Sequence, residues 1–348
     1  MTQPQGAHLV GSVNYDDAEK TMRTAAATLG GRLRRIPDGE VGKRFHWIMF
    51  QPDVIGQAEG IERVGDQPIP FPAGIDARPL RIAEGVDAAG IELPPLGYAD
   101  AALASYAIFT RLRGEGAIAA GTRFQVSLPT PVGVVSSFFA GGDRAAIEPV
   151  YTAVMLRELD AILAAIPHED LAIQWDVASE MGIIEAAPAF GRIMDVWWEG
   201  DPFPGLVERL AALVDAVPAE VEAGIHLCYG DVAEKHFFEP VDSANLVRFG
   251  NAVVAASARD LTWLHLPVPI ERDDEAYYAP LAGLEYDGEL YVGLVHREDG
   301  VEGAERRIAV AQKFVPRFGV ATECGIGRAP AGTTEGILQT HAAVAAAW

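Results

Sequence analysis

The feature that most limits the possible folds of this chain is a short apolar stretch that ends in a polar residue and precedes a helical pattern. It occurs eight times. Nearly continuous apolar runs such as Leu290–Val295 are typical of strands that are buried on both faces, as in parallel sheets. Strands that alternate with helices favour a parallel α/β fold, and eight of them predict a single (β/α)8 TIM-type barrel. The predicted strands are His8–Asn14, Leu33–Glu40, Arg123–Leu128, Leu171–Val177, Ala223–Tyr229, Leu261–Val268, Leu290–His296 and Gly319–Cys324.

The segments between these strands carry amphipathic helical patterns. Asp16 to Leu29 begins with acidic residues and ends at a pair of glycines, which are good start and stop signals for a helix. Asp143 to Ile166 places apolar residues at every third or fourth position, as one face of a helix requires. Further helices are predicted around Leu206 to Val217, Ala304 to Phe314 and Thr333 to Ala347.

The chain of 348 residues contains no convincing linker, so residues 1–348 are predicted to form one barrel domain. A long stretch rich in proline and glycine, Gln51 to Gly97, is predicted to be an insertion after the second strand. The connections Gly230 to Ala258 and Glu271 to Asp287 are also long. Long loops usually surround the site at the C-terminal face of a barrel.

Composition excludes several classes of function. With 27 Lys and Arg against 49 Asp and Glu, the net charge of −22 makes nucleic acid and anionic membrane surfaces poor partners. Two cysteines cannot form a disulfide scaffold, and no apolar run is long enough to span a membrane. The N-terminus lacks the basic and apolar regions of a signal peptide. We therefore expect a cytoplasmic enzyme that acts on small molecules.

The sharpest local motif is His226-Leu227-Cys228. Residues i and i+2 of a strand point to the same side, so the imidazole and the thiol are predicted to lie together near a strand end. Cys324, the only other cysteine, ends the eighth predicted strand and would face the same barrel mouth. One histidine and two thiolates form a ligand set for zinc that leaves a position open. Each cysteine alone could equally be a small buried apolar residue.

Other predicted strands also end in residues that can carry chemistry. The predicted strand ends bring Glu40, Asp176, His265 and His296 to the same mouth, with Asp38 and Gln174 beside the two carboxylates. Each of them alone is commonly a structural residue, such as a helix cap. A second class of function, a metal-free lyase, would use basic residues to bind acidic substrates. The basic residues near the second strand are Arg32, Arg34, Arg35, Lys43 and Arg44.

The order of these motifs resembles the C-terminal catalytic barrel of cobalamin-independent methionine synthase, in the single-barrel form of a group that includes uroporphyrinogen decarboxylase. The resemblance covers most of the chain as scattered strand-end motifs. The matching motifs are Gly11-Ser12, Gly39-Glu40, Gln174-x-Asp176, His226-x-Cys228 and Cys324-Gly325.

This resemblance implies roles for particular residues. His226, Cys228 and Cys324 would bind Zn²⁺. The family has a glutamate as a further ligand, and the best match here is His265, as a ligand or a neighbour of one. His296 matches a family histidine proposed to assist proton transfer. The pocket for the amino-acid part of a homocysteine-like thiol would comprise Ser12, Glu40 and Asp176.

The implied activity is a zinc-dependent transfer of an alkyl group, most simply a methyl group, to homocysteine or a related thiol. The family's folate-stacking tryptophan is replaced by Ser137, although Phe138 and Phe139 are adjacent. The donor could therefore be a tetrahydrofolate, or instead a methylated corrinoid, an aryl methyl ether or another electrophile. The alternative is a metal-free decarboxylase of the uroporphyrinogen decarboxylase type. The oligomeric state is left open.

Overall fold

A parallel sheet of seven strands forms the centre of the molecule, as seen in a computed structural model that describes residues 3–71, 74–189, 192–231 and 235–348. All neighbouring strands are parallel, and their order in the sheet follows their order in the chain. This confirms the predicted parallel α/β fold. The strands are β1 (Arg35–Pro37), β2 (Arg123–Pro129), β3 (Leu171–Val177), β4 (Glu222–Leu227), β5 (Trp263–Pro267), β6 (Glu289–Val295) and β7 (Gly319–Thr322).

The N-terminal segment, where the first strand was predicted, forms isolated bridges rather than a continuous strand. Ala7 bridges to Leu33 on the β1 side and to Val320 of β7 on the other side. The amide of Ala7 donates to the carbonyl of Arg32 at 2.9 Å. The prediction of a regular strand at His8–Asn14 is therefore wrong, although this segment contacts both edges of the seven-stranded sheet.

The polar residues predicted at strand ends mostly lie just beyond the hydrogen-bonded ladders. Glu40, Cys228, His296 and Cys324 each follow a strand by one to three residues. They sit where the chain leaves the sheet, because the ladder stops before the backbone turns into the following loop. β3 was predicted with its observed bounds, and all seven of its residues are buried. This confirms the prediction that the strand is buried on both faces, and its polar residues Gln174 and Asp176 are buried as well.

Helices follow the strands along the chain. The side chain of Asp17 caps the first helix by accepting from the amide of Lys20 at 2.7 Å. The five helices predicted from periodicity are all present, with ends shifted by a few residues. The helices are α1 (Ala18–Leu29), α2 (Gln51–Ile55), α3 (Tyr98–Gly114), α4 (Pro131–Phe138), α5 (Arg144–Ala165), α6 (Ser179–Ile184), α7 (Pro202–Asp215), α8 (Ala244–Ala256), α9 (Glu275–Tyr278), α10 (Gly300–Ala311) and α11 (Thr334–Val344). Within the described ranges, no helix is both long enough and apolar enough to cross a membrane.

The predicted insertion contains structure of its own. It holds α2 and two antiparallel ribbons, Ile61–Arg63 with Leu80–Ile82 and Pro70–Phe71 with Ile75–Asp76. Two of its residues, 72 and 73, lie outside the described part of the chain. A third ribbon, Pro188–Ala189 with Arg192–Ile193, lies between α6 and α7.

The carboxylate of Glu158 on α5 fixes the junction between the insertion and α3. It accepts from the amides of Leu96 and Ala99, both at 2.6 Å. Because Glu158 is only 5 % exposed, these two charge-assisted bonds replace its lost hydration. The insertion is thereby attached to the helical layer that surrounds the sheet.

Candidate metal centre

A cavity opens at the C-terminal end of the sheet, where parallel α/β enzymes commonly place their sites. Every predicted substrate-binding residue and three of the four predicted metal ligands line it. Sequence reasoning did not select Trp47, Asp231 or Arg328, which line it as well. The lining residues are Val10, Gly11, Ser12, Glu40, Trp47, Asp176, Ala178, His226, Cys228, Gly230, Asp231, Cys324, Gly325 and Arg328.

His226, Cys228 and Cys324 converge on one point of this cavity. One ligand atom from each residue lies within 4.8 Å of the other two, and the two Sγ atoms are 3.6 Å apart. The Nε2 atom of His226 is buried and has no hydrogen-bond partner. An unpaired buried nitrogen beside two thiols suits a metal ion, since such a polar atom is otherwise costly to bury. The donor set therefore fits zinc with three protein ligands.

The Cys324 thiol keeps its proton near neutral pH when no cation is bound beside it. The hydrogen bond with Cys228 and burial both raise the pKa of the Cys324 thiol, whereas Arg328 lowers it. Arg328 lies with its Nη2 atom 3.6 Å from the Cys324 sulfur. A divalent cation that binds here would displace thiol protons, because the thiolate is the metal ligand.

His265 lies behind His226 and does not line the cavity. The two Nδ1 atoms are 2.7 Å apart, and the Nε2 atom of His265 lies 2.9 Å from the carbonyl oxygen of Thr322. Adjacent registers on β4 and β5 bring the two rings together, since His226 pairs directly with His265 in the ladder. Of the two roles implied for His265, this position corresponds to a neighbour of a ligand.

Glu40 enters the cavity through an unusual backbone conformation. Its φ of 53° lies in the left-handed region, and Gly39 before it has φ 84°. The Asp38 carboxylate accepts from the amide of Glu40 at 2.9 Å and pairs with Arg44 at 2.6 Å, so Asp38 supports this turn. A Cβ atom on Gly11 would lie 2.5 Å from Oε1 of Glu40, so only glycine leaves room for this carboxyl group.

Asp176 is the second carboxyl group of the cavity, and it is held by a buried polar network. Gln174 donates to Oδ1 of Asp176 at 2.8 Å, while its Oε1 lies 2.8 Å from Nε2 of His8. Burial, and then the charge of Glu40, raise the pKa of Asp176 well above its usual range. Burial likewise raises the pKa of Glu40 to about 7. The two carboxyl groups therefore retain a proton near neutral pH.

Arg328 is the main cation of the cavity that sequence reasoning missed. It pairs with Asp231 at 2.7 Å and donates to Oγ of Ser12 at 3.1 Å. A Cβ atom on Gly325 or Gly327 would lie 2.2 or 2.7 Å, respectively, from an atom of Ser12, so neither position has room for a side chain. The sequence could have indicated that Arg328 lies near the cavity, because it follows Cys324 by four residues in a glycine-rich segment.

His296 lies outside the lining of the cavity. Its Nε2 atom donates to the carbonyl of Val268 at 3.0 Å, and its Nδ1 atom lies 4.0 Å from Glu323. Burial lowers the pKa of His296. Glu323 in turn lies 2.9 Å from Nε2 of His236, whose pKa is raised to about 9 against the effect of burial by Glu323 and Glu239. The role of His296 in proton transfer stays a prediction.

At the position of the folate-stacking tryptophan, Ser137 is exposed and the two adjacent phenylalanines are buried. Ser137 donates to the carbonyl of Gly133 at 2.6 Å within α4. Phe138 and Phe139 are 4 % and 2 % exposed, so neither offers a free ring face. The aromatic side chain that lines the cavity is Trp47, which comes from the loop after β1 and has a φ of 52°.

Three of the five basic residues near β1 are engaged in ion pairs with acidic side chains. Arg35 pairs with Glu222 at 2.5 Å and with Glu289 at 2.8 Å. Arg34 also pairs with Glu289, and Arg44 pairs with Asp38. These charges are compensated by the protein's own acids and do not form a pocket for an acidic substrate.

Comparisons with known proteins support the fold and leave the function open. No protein family model matches the chain, and no curated protein matches it. A solved B12-independent methionine synthase from Shewanella sp. W3-18-1, in complex with selenomethionine, is similar with a TM-score of 0.58. That match has 14% identity and covers 98% of this chain and 96% of that chain. A methyltransferase from Methanosarcina mazei has a TM-score of 0.55 and 12% identity, covering 98% and 94%. The predicted resemblance is thus confirmed for the fold.

Proposed function

We propose that this protein is a zinc-dependent thiol alkyltransferase, and that its simplest reaction is methyl transfer to homocysteine or a related amino thiol. The convergence of His226, Cys228 and Cys324 in one cavity with two protonatable carboxyl groups carries this proposal. The two similar structures, one a methionine synthase and one a methyltransferase by name, support it at the level of the fold.

The metal would be bound by Nε2 of His226 and by the sulfur atoms of Cys228 and Cys324. Bound Zn²⁺ would favour the deprotonated form of a substrate thiol and so supply a nucleophile at neutral pH. Three protein ligands leave a position for that thiol, which is the arrangement of catalytic rather than structural zinc sites. Arg328, beside the Cys324 sulfur, offsets part of the negative charge of the two thiolates.

The two carboxyl groups of the cavity would bind the ammonium group of the substrate. Burial raises the pKa of both Glu40 and Asp176, and the charge of Glu40 adds to the rise at Asp176. An ammonium group would favour their ionised forms, so binding of the substrate and loss of protons from these carboxyl groups are coupled. This arrangement favours an amino thiol over a thiol that lacks a cationic group. Their role is to orient the thiol, and orientation alone can supply a large part of a rate enhancement.

In the reaction, the substrate sulfur would form a bond to the alkyl carbon as that carbon's bond to the donor breaks. The leaving group takes the bonding electron pair and needs a proton. His296 is the general acid implied by the resemblance, and a carboxyl group of the cavity is a second source. The donor is proposed only as an electrophilic alkyl compound, with a tetrahydrofolate, a corrinoid and an aryl methyl ether as alternatives. The metal-free lyase is disfavoured, because Arg34, Arg35 and Arg44, three of the five basic side chains proposed for it, are paired with acidic side chains.

Metal content measured by mass spectrometry tests this proposal. Wild-type protein purified without chelator should contain about one zinc per chain, and Cys228→Ser and Cys324→Ser should each lose it. Glu40→Gln serves as a control, since it changes the cavity without removing a ligand and should keep the metal while weakening amino-thiol binding. Wild-type protein without zinc, or full alkyl transfer by both cysteine variants, would overturn the proposal.

A further inference from the structure

Two buried histidines, on the neighbouring strands β4 and β5, form a hydrogen-bonded pair that ends at the candidate metal centre. His226 is 3 % exposed and His265 is fully buried. Their Nδ1 atoms lie 2.7 Å apart, which requires that one ring donates a proton and the other accepts it. The far nitrogen of His265 faces a backbone carbonyl, and the far nitrogen of His226 faces the cavity without a partner.

The direction of these hydrogen bonds follows from the carbonyl of Thr322. A carbonyl oxygen can only accept, so Nε2 of His265, at 2.9 Å from it, carries a proton. A neutral His265 then has a lone pair at Nδ1. His226 must donate to that lone pair from its own Nδ1, which leaves Nε2 of His226 without a proton. The fixed backbone carbonyl of β7 thus determines which nitrogen of His226 is basic.

We propose that His265 is a positioning residue that holds His226 in the tautomer whose Nε2 lone pair points at Cys228 and Cys324, so that the site is prepared for a metal before the metal arrives. This inference rests on the proposed function, because it assigns the partner of one ligand of that site. It places a histidine where a carboxylate or a backbone carbonyl usually orients a metal-binding imidazole.

Burial supports the neutral state that this assignment needs. Both rings are almost completely removed from water, where a charged imidazolium would lose its hydration. The alternative tautomer of His226 would carry a proton at Nε2, between the two sulfur atoms. The lone pairs of the two Nδ1 atoms would then face each other without a proton between them. That arrangement loses a buried hydrogen bond and is therefore disfavoured. The pair therefore favours one state without help from the metal.

The tautomers can be measured directly in metal-free protein. In long-range ¹H–¹⁵N correlation spectra of histidine-labelled, chelator-treated wild type, His226 should show a protonated Nδ1 and His265 a protonated Nε2. His226→Gln and His265→Asn spectra assign the two rings. A protonated Nε2 on His226 in the wild type would overturn the inference.

Metal affinity provides a second readout that does not depend on turnover. His265→Phe keeps a ring and removes the acceptor, so Co²⁺ affinity measured by thiolate charge-transfer absorption should fall 10- to 100-fold, as is typical when such a partner is lost. His265→Asn retains an acceptor near Nδ1 and should recover most of this loss. His341→Phe is the matched control, because His341 is equally buried but its Nδ1 donates to the carbonyl of Ile337 within α11. Unchanged affinity in His265→Phe would contradict the proposed role.

The two measurements separate this inference from the proposed function. If wild-type protein shows the expected tautomers but binds no divalent metal, the zinc-dependent function fails and the directed histidine pair stands. If wild-type protein binds zinc through His226 in the opposite tautomer, the function stands and the role of His265 is wrong.

Discussion

The sulfur atoms of Cys228 and Cys324 lie 3.6 Å apart although the two residues are 96 positions apart in the chain. Cys228 follows β4 and Cys324 follows β7, and the curvature of the sheet brings the ends of these strands to one cavity. The same separation that suits two ligands of one metal ion is also short enough for a disulfide after a small movement.

Metal removal should therefore expose the cysteine pair to oxidation. Chelator-treated protein exposed to a mild thiol oxidant should form a Cys228–Cys324 disulfide, with the mass loss of two hydrogen atoms, whereas zinc-loaded protein should not, since coordinated sulfur is protected. Peptide mapping under non-reducing conditions identifies the bond. Equal oxidation with and without zinc would show that the metal does not bind these sulfur atoms.

Gly11→Ala should weaken amino-thiol binding while leaving the metal in place. The new Cβ atom would lie 2.5 Å from Oε1 of Glu40, so the carboxyl group must move away from the position it occupies in the cavity. We expect the dissociation constant measured by calorimetry to rise about tenfold, which corresponds to about 1.4 kcal/mol. Gly141→Ala is the control, because a Cβ atom there meets nothing within 4 Å. Unchanged affinity would argue against binding at Glu40.

Arg328→Met should destabilise the protein by about 3–5 kcal/mol, because it removes the partner of a buried charge at Asp231. The two side chains are 11% and 10% exposed and lie 2.7 Å apart. Asp231→Asn combined with Arg328→Met should recover part of this loss, as a double-mutant cycle by chemical denaturation can show. If the stability losses of the two single variants simply add in the double variant, the ion pair contributes little to stability.

Stability should fall with rising pH through the titration of His236. Glu323 and Glu239 raise its pKa from 6.5 to about 9, so the folded state binds more protons than the unfolded state between these values. The stabilisation is complete below about pH 6.5 and disappears as the pH passes 9, with an upper limit of about 3 kcal/mol. Denaturation of His236→Gln should lack this component, while His168→Gln should retain it. Parallel pH profiles for wild type and His236→Gln would contradict the assignment.

His296→Gln tests the general acid implied by the resemblance. If His296 supplies the proton to the leaving group, the rate of alkyl transfer should fall about 10²- to 10⁴-fold with unchanged metal content. Loss of rate with leaving groups that need a proton, but not with those that leave as stable anions, would distinguish this role from a structural one. An unchanged rate would show that His296 is not the general acid, and a carboxyl group of the cavity would be the remaining candidate.

Much of the fold could be predicted because local patterns and burial agree. β3 begins with the apolar run Leu171-Ala172-Ile173 and is buried throughout, and the start of α1 is marked by the capping residue Asp17. The first predicted strand failed for a physical reason. An apolar, extended segment such as His8–Asn14 has the composition of a strand, but its pairing with two different edges is decided by partners far away in the chain.

For the candidate site, the sequence by itself determined the chemistry available at strand ends: an imidazole and a thiol two residues apart, a second thiol and two carboxyl groups. Tertiary structure alone decided which of them meet. His265 lies against His226 because the two residues pair in neighbouring strands. His296 lies outside the cavity, where its ring donates to the carbonyl of Val268. Arg328 and Trp47 joined the site through loops. Strand periodicity is local and can be read from the chain, whereas cavity contacts depend on the curvature of the sheet and on loop conformations, which are set by the packing of the whole domain.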